Sequence, residues 1–335
     1  MRQVELAATA SPALVAAAAA LRSHCQVVIT SHVNPDGDAI GSVLGLARAL
    51  ADAHYDVRAA LQDPVPFRYR SLPDQDILCA APLTASAAGL VVLLECPTFE
   101  RAGNVLSLEQ VRRAGATVLN VDHHSDNTRY GDIDFVDLSA AATGQLVLAL
   151  LDELAVPVTP SVAANLYAAV LTDTGSFQHG NVTADVLRTA ARLVDLGADP
   201  HALAREIYQV NPAGRLKLMA VVLQSLALSV DGKVASLLVT KEMLRECGAV
   251  PADTEDFANL ARSVDGVQIG LLVRQTDGDA SKISLRSYGD IDVQQVARVF
   301  GGGGHRNAAG ATVAGSADSA RLQVLDVLFH FFGFR

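Results

Sequence analysis

The chain has 335 residues, half of them hydrophobic, a formal net charge of -10 and no tryptophan. That length predicts two domains, with cores filled mainly by alanine, valine and leucine. All the excess acid lies in residues 1–214, which hold 13 Arg, no Lys and 23 Asp plus Glu, against a balanced 13 and 13 in residues 215–335; this excludes tracking of a long nucleic-acid backbone, which needs a basic stripe, but not a short nucleotide whose charge is met by bound metal.

At the amino end, Ser11 reads as the cap and Pro12 as the first residue of a helix over the alanine-rich run Ala13–Leu21. Met1–Ala20 has no basic leading segment and is not read as a signal peptide. No apolar run reaches the roughly 18 to 20 residues of a membrane span, so a soluble cytoplasmic protein without membrane contact is expected. Cys25, Cys79, Cys96 and Cys247 are scattered with no CxxC pair, which points to a reducing compartment.

Strands are then predicted over Gln26–Ser31, Asp56–Ala60, Gly89–Glu95, Thr117–Val121 and Ile133–Val136. Helices alternate with them over Ala39–Ala53, Leu108–Ala114, Gly144–Leu154 and Ser161–Thr172, and helical text continues through Asp185–Leu196 and His201–Tyr208. This alternation predicts an α/β fold with a doubly wound, mostly parallel sheet. Asn211-Pro212-Ala213-Gly214 breaks the pattern. Beyond it, Leu226–Val230 with Val234–Val239, and Gly270–Gln275 with Lys282–Ser287, read as hairpins turning at Asp231-Gly232 and Asp277-Gly278. Helices at Thr254–Ala261, Val293–Val299 and Ala317–Phe332 complete a smaller α+β domain. The expected boundaries are 1–190, a helical linker 191–214, and 215–335.

Three segments carry chemistry. In Ser31-His32-Val33-Asn34-Pro35-Asp36-Gly37-Asp38, three potential ligands occupy the turn between a strand and a helix, where open α/β sheets hold ligands. Pro35 stiffens the turn and Gly37 lets both carboxylates point one way. His32, Asp36 and Asp38 together suit Mn²⁺, Mg²⁺ or Fe better than a cysteine-rich zinc site; the bland alternative is a capped helix with a solvated loop. Val121-Asp122-His123-His124 closes another strand. Adjacent histidines splay, so one can hold metal while the other faces substrate, with Asp122 fixing a ring tautomer. Leu171-Thr172-Asp173-Thr174-Gly175-Ser176-Phe177 ends an apolar helix, where Asp173 can bind metal while Gly175 caps the helix.

HxxxDxD, DHH and DTGSF in this order resemble the DHH phosphoesterase superfamily, which includes RecJ-type exonucleases, family II inorganic pyrophosphatases and short-oligonucleotide hydrolases. Gly301-Gly302-Gly303-Gly304-His305-Arg306-Asn307-Ala308-Ala309-Gly310 looks like the GGGGHxxAAG signature of its DHH-associated domain. Together the motifs cover nearly the whole chain, and the spacing is most like the nanoRNase and pAp phosphatase group. The resemblance implies a catalytic domain followed by a substrate-binding domain, with the active site in the cleft between them.

It also implies two Mn²⁺ per subunit, with Mg²⁺ or another divalent ion open. His32 and Asp36 would hold one; Asp38, His123 and Asp173 would hold the other. A carboxylate at the end of the third strand should bridge them. Here the family carries aspartate and this chain carries Glu95, one methylene longer. His124, with Asp122, is then the candidate phosphate contact or acid for the leaving 3′-oxygen. The glycines are read as a phosphate nest of backbone N–H groups at Gly302, Gly303 and Gly304, joined by His305, Asn307, Ser176 and the clamp Arg286. The expected substrates are short RNA, linear or cyclic dinucleotides such as c-di-AMP, and pAp. A homodimer is one assembly open to it. A pyrophosphatase, a RecJ-like exonuclease and a nucleotide-binding regulator with weak catalysis stand as alternatives, the last motivated by Glu95.

Overall fold

The computed structural model describes residues 11–83 and 89–334; the first ten residues of the segment weighed as a leader lie outside them. The chain divides into two units, residues 1–210 and 211–335.

In the first unit, α1 (Pro12–Ser23) starts on Ser11, whose hydroxyl accepts the Leu14 N–H at 3.2 Å, with proline in the first turn. There follow β1 (Gln26–Thr30), α2 (Gly37–Asp52), β2 (Asp56–Ala59), β3 (Leu90–Leu94), α3 (Leu108–Ala114), β4 (Thr117–Asp122), β5 (Ile133–Val136), α4 (Thr143–Leu154), α5 (Pro160–Asp173), α6 (Ala184–Asp195) and α7 (Pro200–Ala204). The strands form one sheet in the order β2-β1-β3-β4-β5, every pair parallel. All five residues of β3 are buried, as expected of a parallel strand covered on both faces. Val27, Ile29, Val92 and Leu94 face the core that takes in residues of α1, α2, α4 and α5. Val28, Val91, Leu93 and Val118 face a second cluster with Phe99, Val105 and Val111. Since β1 is followed by β2 on one side and flanked by β3 on the other, the order reverses between β1 and β3. Ligands of open parallel sheets lie beyond the strand ends at such a reversal.

Two differences from the sequence reading matter. Residues 191–210 carry Leu193, Ala198, Leu203 and Ile207 into the first core. The helix expected over His201–Tyr208 is α7 followed by a π turn at Arg205–Gln209.

Close contact between α2 and α5 sets the distance between the first and third motifs. A Cβ on Gly41 would lie 2.3 Å from the Asn165 carbonyl oxygen, and one on Gly45 would lie 2.7 Å from Leu166. Gly41→Ala gains about 1 kcal/mol of helix propensity, but its methyl meets backbone that cannot rotate away. A net loss of about 1–3 kcal/mol is expected from overpacking, read as a lower urea midpoint; an unchanged midpoint would mean that the helices can separate at no cost.

The second unit contains α8 (Ala213–Leu223), β6 (Ala227–Leu228), β7 (Val234–Val239), α9 (Lys241–Cys247), α10 (Phe257–Arg262), β8 (Ile269–Gln275), β9 (Ala280–Ser287), α11 (Val293–Val299), β10 (Gly303–His305), β11 (Ala308–Ala314) and α12 (Ala317–Phe332). Its sheet runs β10-β11-β9-β8-β7-β6, antiparallel except for the β7–β8 pair. Both predicted hairpins form. The helix expected over Thr254–Ala261 is instead a 3₁₀ turn at Pro251–Thr254 followed by α10. Among the described residues, no helix is long and apolar enough to cross a membrane.

Candidate metal centre at the carboxyl edge of the first sheet

Each motif lies where its strand or helix ends. His32 follows β1 and is buried. Its Nδ1 lies 2.9 Å from the Val33 carbonyl, which directs Nε2 toward Asp36 Oδ1 at 3.9 Å. Asp36 caps α2, with Oδ1 accepting the Ala39 N–H at 3.0 Å, so the capped-helix reading and the ligand reading describe the same residue. Asp38 lies inside the first turn of α2, not on the loop before it, because the helix starts two residues earlier than predicted.

Asp38 is buried and held by partners that sequence reasoning missed. Its Oδ2 accepts the Thr143 N–H at 2.6 Å. Its Oδ1 accepts the Gly144 N–H at 3.0 Å and the Ser42 hydroxyl at 2.8 Å. The residue before α4 is Ala142, which offers no side-chain cap. A carboxylate from α2 therefore satisfies the first N–H groups of α4, where the helix dipole favours an anion. Only the Thr-Gly pair before an apolar run is visible in sequence; an acceptor 105 residues away is not.

Glu95 stands one residue beyond β3, buried, in a left-handed backbone conformation with φ 61°. Its Oε2 accepts the Thr143 hydroxyl. Its Oε1 lies 3.1 Å from His123 Nε2 and 3.4 Å from His124 Nδ1. Asp122 ends β4: its Oδ1 accepts from His124 Nδ1 at 2.7 Å and from the His123 N–H at 2.8 Å, and its Oδ2 accepts from Asn127 at 2.5 Å. It thus orients the two histidines. The two imidazoles meet edge to face, with centroids 5.0 Å and planes 65° apart, and both present a nitrogen to Glu95 Oε1. His123 Nδ1 lies 3.2 Å from the Ala140 carbonyl, so Nε2 faces the acids, 3.6 Å from Asp173 Oδ2 and 3.8 Å from Asp38 Oδ2. Asp173 is the last residue of α5. Gly175, Ser176 and Phe177 behind it all have positive φ.

Asp38, His123 and Asp173 place one ligand atom each within 4.8 Å of one another, and Glu95, Asp122 and His124 do the same. His32 and Asp36 stand beside these groups as a pair. The electrostatics call for a cation. Burial, then the charge of Glu95, pushes Asp38 well above the usual carboxylate range, despite His123. Desolvation, opposed by His123 and reinforced by Glu95, pushes Asp173 up to about 7. Burial would lower both imidazoles; instead Glu95 and neighbouring acids raise His123 well above its ordinary value and His124 to about 9. A divalent cation among these groups would favour their charged carboxylates. The donors are carboxylate oxygens and imidazole nitrogens, without cysteine in either group, a set that fits a hard or borderline divalent ion.

In the second unit, the register sets His305, Ala308 and Arg286 in one row across β10, β11 and β9. Cross-strand partners share a face, so His305 and Arg286 flank the small Ala308. The glycine run also serves the fold, and of the three nest candidates the Gly302 N–H is already engaged. The Gly301 and Gly302 N–H groups close α11 by donating to the Arg298 and Ala297 carbonyls, and Gly303 and Gly304 belong to β10. Close packing against β11 requires glycine at two of these positions: a Cβ on Gly302 would lie 2.1 Å from the Gly310 carbonyl oxygen, and one on Gly304 2.5 Å from the Ala308 carbonyl oxygen. The Asn307 amide nitrogen is likewise engaged, with the Ser287 hydroxyl and the Gly289 and Ile291 carbonyls.

Acid and imidazole donors gathered at the reversal point of a parallel sheet make this a candidate metal centre. The profile of the DHH family N-terminal domain matches residues 26–170, and that of the DHHA1 domain matches residues 234–331. The chain is 36% identical to the bifunctional oligoribonuclease and PAP phosphatase NrnA of Thermus thermophilus, over 90% of this chain and 89% of that protein. The chain belongs to the DHH phosphoesterase family. Its fold is shared with an exopolyphosphatase-related protein from Bacteroides fragilis (TM-score 0.82, 24% identity, 95% of this chain and 96% of that one). It is also shared with RecJ in complex with Mn²⁺ from Thermus thermophilus (TM-score 0.52, 17% identity, 94% of this chain and 54% of that one).

Proposed function

We propose that this chain hydrolyses short oligoribonucleotides and dinucleotides to mononucleotides and removes the 3′-phosphate from pAp, using two Mn²⁺ ions. The observation that carries the reading is the convergence of Asp38, Glu95, His123 and Asp173 on one point beyond the sheet. The name of the Thermus relative gives the substrate class.

Asp38, His123 and Asp173 would hold one ion, His32 and Asp36 the other, with Glu95 between. Bound there, the pair would make hydroxide available near neutral pH and offset charge growing on the phosphoryl oxygens. His124, aimed by Asp122, delivers a proton to the leaving 3′-oxygen. On the second unit, Arg286 and His305, flanking Ala308, are the phosphate contacts, and on the first unit Ser176 is a nucleotide contact. Residues 1–190 are proposed as the catalytic domain and 215–335 as the substrate-binding one. A ligand of two to five nucleotides needs no basic channel, in keeping with the acidic first part.

Product-resolved hydrolysis of pApA, c-di-AMP, pAp and pyrophosphate with Mn²⁺ tests this. AMP is expected from pApA and from pAp, with pyrophosphate left intact. Tight nucleotide binding without turnover of any of the four would make the chain a binding protein, and turnover of pyrophosphate alone would make it a pyrophosphatase.

A further inference from the structure

The two oxygens of Glu95 have different surroundings. Oε2 accepts the Thr143 hydroxyl, whereas Oε1 faces His123 Nε2 and His124 Nδ1. Thr143 is fully buried, and its own N–H holds Asp38 Oδ2 at 2.6 Å. One residue at the start of α4 therefore fixes two carboxylates relative to each other, one through its backbone and one through its side chain. The backbone of Glu95 is fixed as well: its N–H donates to the Val121 carbonyl at 3.1 Å and its φ is 61°. From that anchored Cα, an aspartate carboxylate would fall about 1.5 Å short and could not keep both contacts.

We propose that Thr143 is a positioning residue that withdraws Glu95 Oε2 from coordination and leaves Oε1 as the single oxygen presented to metal. An aspartate, one methylene shorter, could not serve this use from the same Cα. The inference rests on the metal-centre reading above. Partners that orient ligands in this way typically affect metal affinity 10–100-fold.

The test compares wild type, Thr143→Val, Thr143→Ser and Thr143→Ala in the full chain. Thr143→Val keeps the β-branch and the N–H to Asp38 and removes only the hydroxyl. Mn²⁺ affinity and stoichiometry are read by calorimetry, ion–ion coupling by Mn²⁺ electron paramagnetic resonance, and kcat and KM on pApA. Thr143→Val is expected to bind Mn²⁺ about 10-fold or more weakly, to lose the coupled signal, and to lower kcat with little change in KM. Thr143→Ser should restore most of each. If the valine variant does not fold, Thr143→Ala, which also keeps the N–H to Asp38 and lacks the hydroxyl, carries the test with a similar loss of affinity expected. Wild-type Mn²⁺ affinity in folded Thr143→Val, or in Thr143→Ala, overturns the inference and leaves the function standing. A wild-type protein that binds no Mn²⁺ removes both.

Discussion

His123→Ala and Asp38→Asn are each expected to lower hydrolysis of pApA on the order of 10³-fold or more, with the far-ultraviolet circular dichroism spectrum unchanged. The two substitutions act on one point from different elements. His123 closes β4, and its Nε2 is the atom on which Glu95, Asp173 and Asp38 converge, at 3.1, 3.6 and 3.8 Å. Asp38 sits in the first turn of α2. Alanine there would also strip the acceptor from the Thr143 and Gly144 N–H groups, at a cost of about 1–3 kcal/mol for each buried donor left unmet. Asparagine removes the charge and keeps one of the two oxygens, so one of the two N–H groups still loses its acceptor, and the unchanged circular dichroism spectrum is what separates an effect on the centre from one on folding. Turnover within tenfold of wild type in either variant would take the centre out of the reaction.

Removing divalent metal should lower the melting temperature. In the metal-free protein, Asp38, Glu95 and Asp173 share a desolvated pocket, and burial with mutual repulsion works against the charged forms of Asp38 and Asp173. A cation that binds only the folded state stabilises it by about 2.7 kcal/mol per site when free ion is a hundredfold above Kd. For a unit of this size, each kcal/mol moves the melting temperature by about 2–4 °C. Calorimetry with EDTA and then with excess Mn²⁺ should therefore show a rise of several degrees. His123→Ala should lose most of that rise. An equal rise in the variant would mean that the ion binds elsewhere.

Much of the centre is legible in the sequence because each motif is local. An apolar strand, a short turn and an amphipathic run fix His32, Asp36 and Asp38 at a strand end, and the same logic places Asp122, His123, His124 and Asp173. What could not be read is set by contacts between distant segments. The cap of α4 is the Asp38 carboxylate, 105 residues earlier, so no pattern near Thr143 shows its task. The Gly301–Gly304 run looks like a loop or a nest, but its first two N–H groups belong to the end of α11 and its last two residues to β10. Strand β11, Ala-Ala-Gly-Ala-Thr-Val-Ala, has low intrinsic strand preference; it is a strand because it lies between β9 and β10. Helices α8 and α9 lie beyond a break and between strands, where short apolar runs do not separate helix from strand.

The central claim is that two metal ions held by these residues are needed to cut a short nucleotide, and a metal titration of chelator-stripped protein tests it most directly. Hydrolysis of pApA should be absent in the stripped protein and return with added Mn²⁺, levelling off at two equivalents bound per chain. Hydrolysis that survives stripping, or that reaches full rate with no ion bound, would contradict the account.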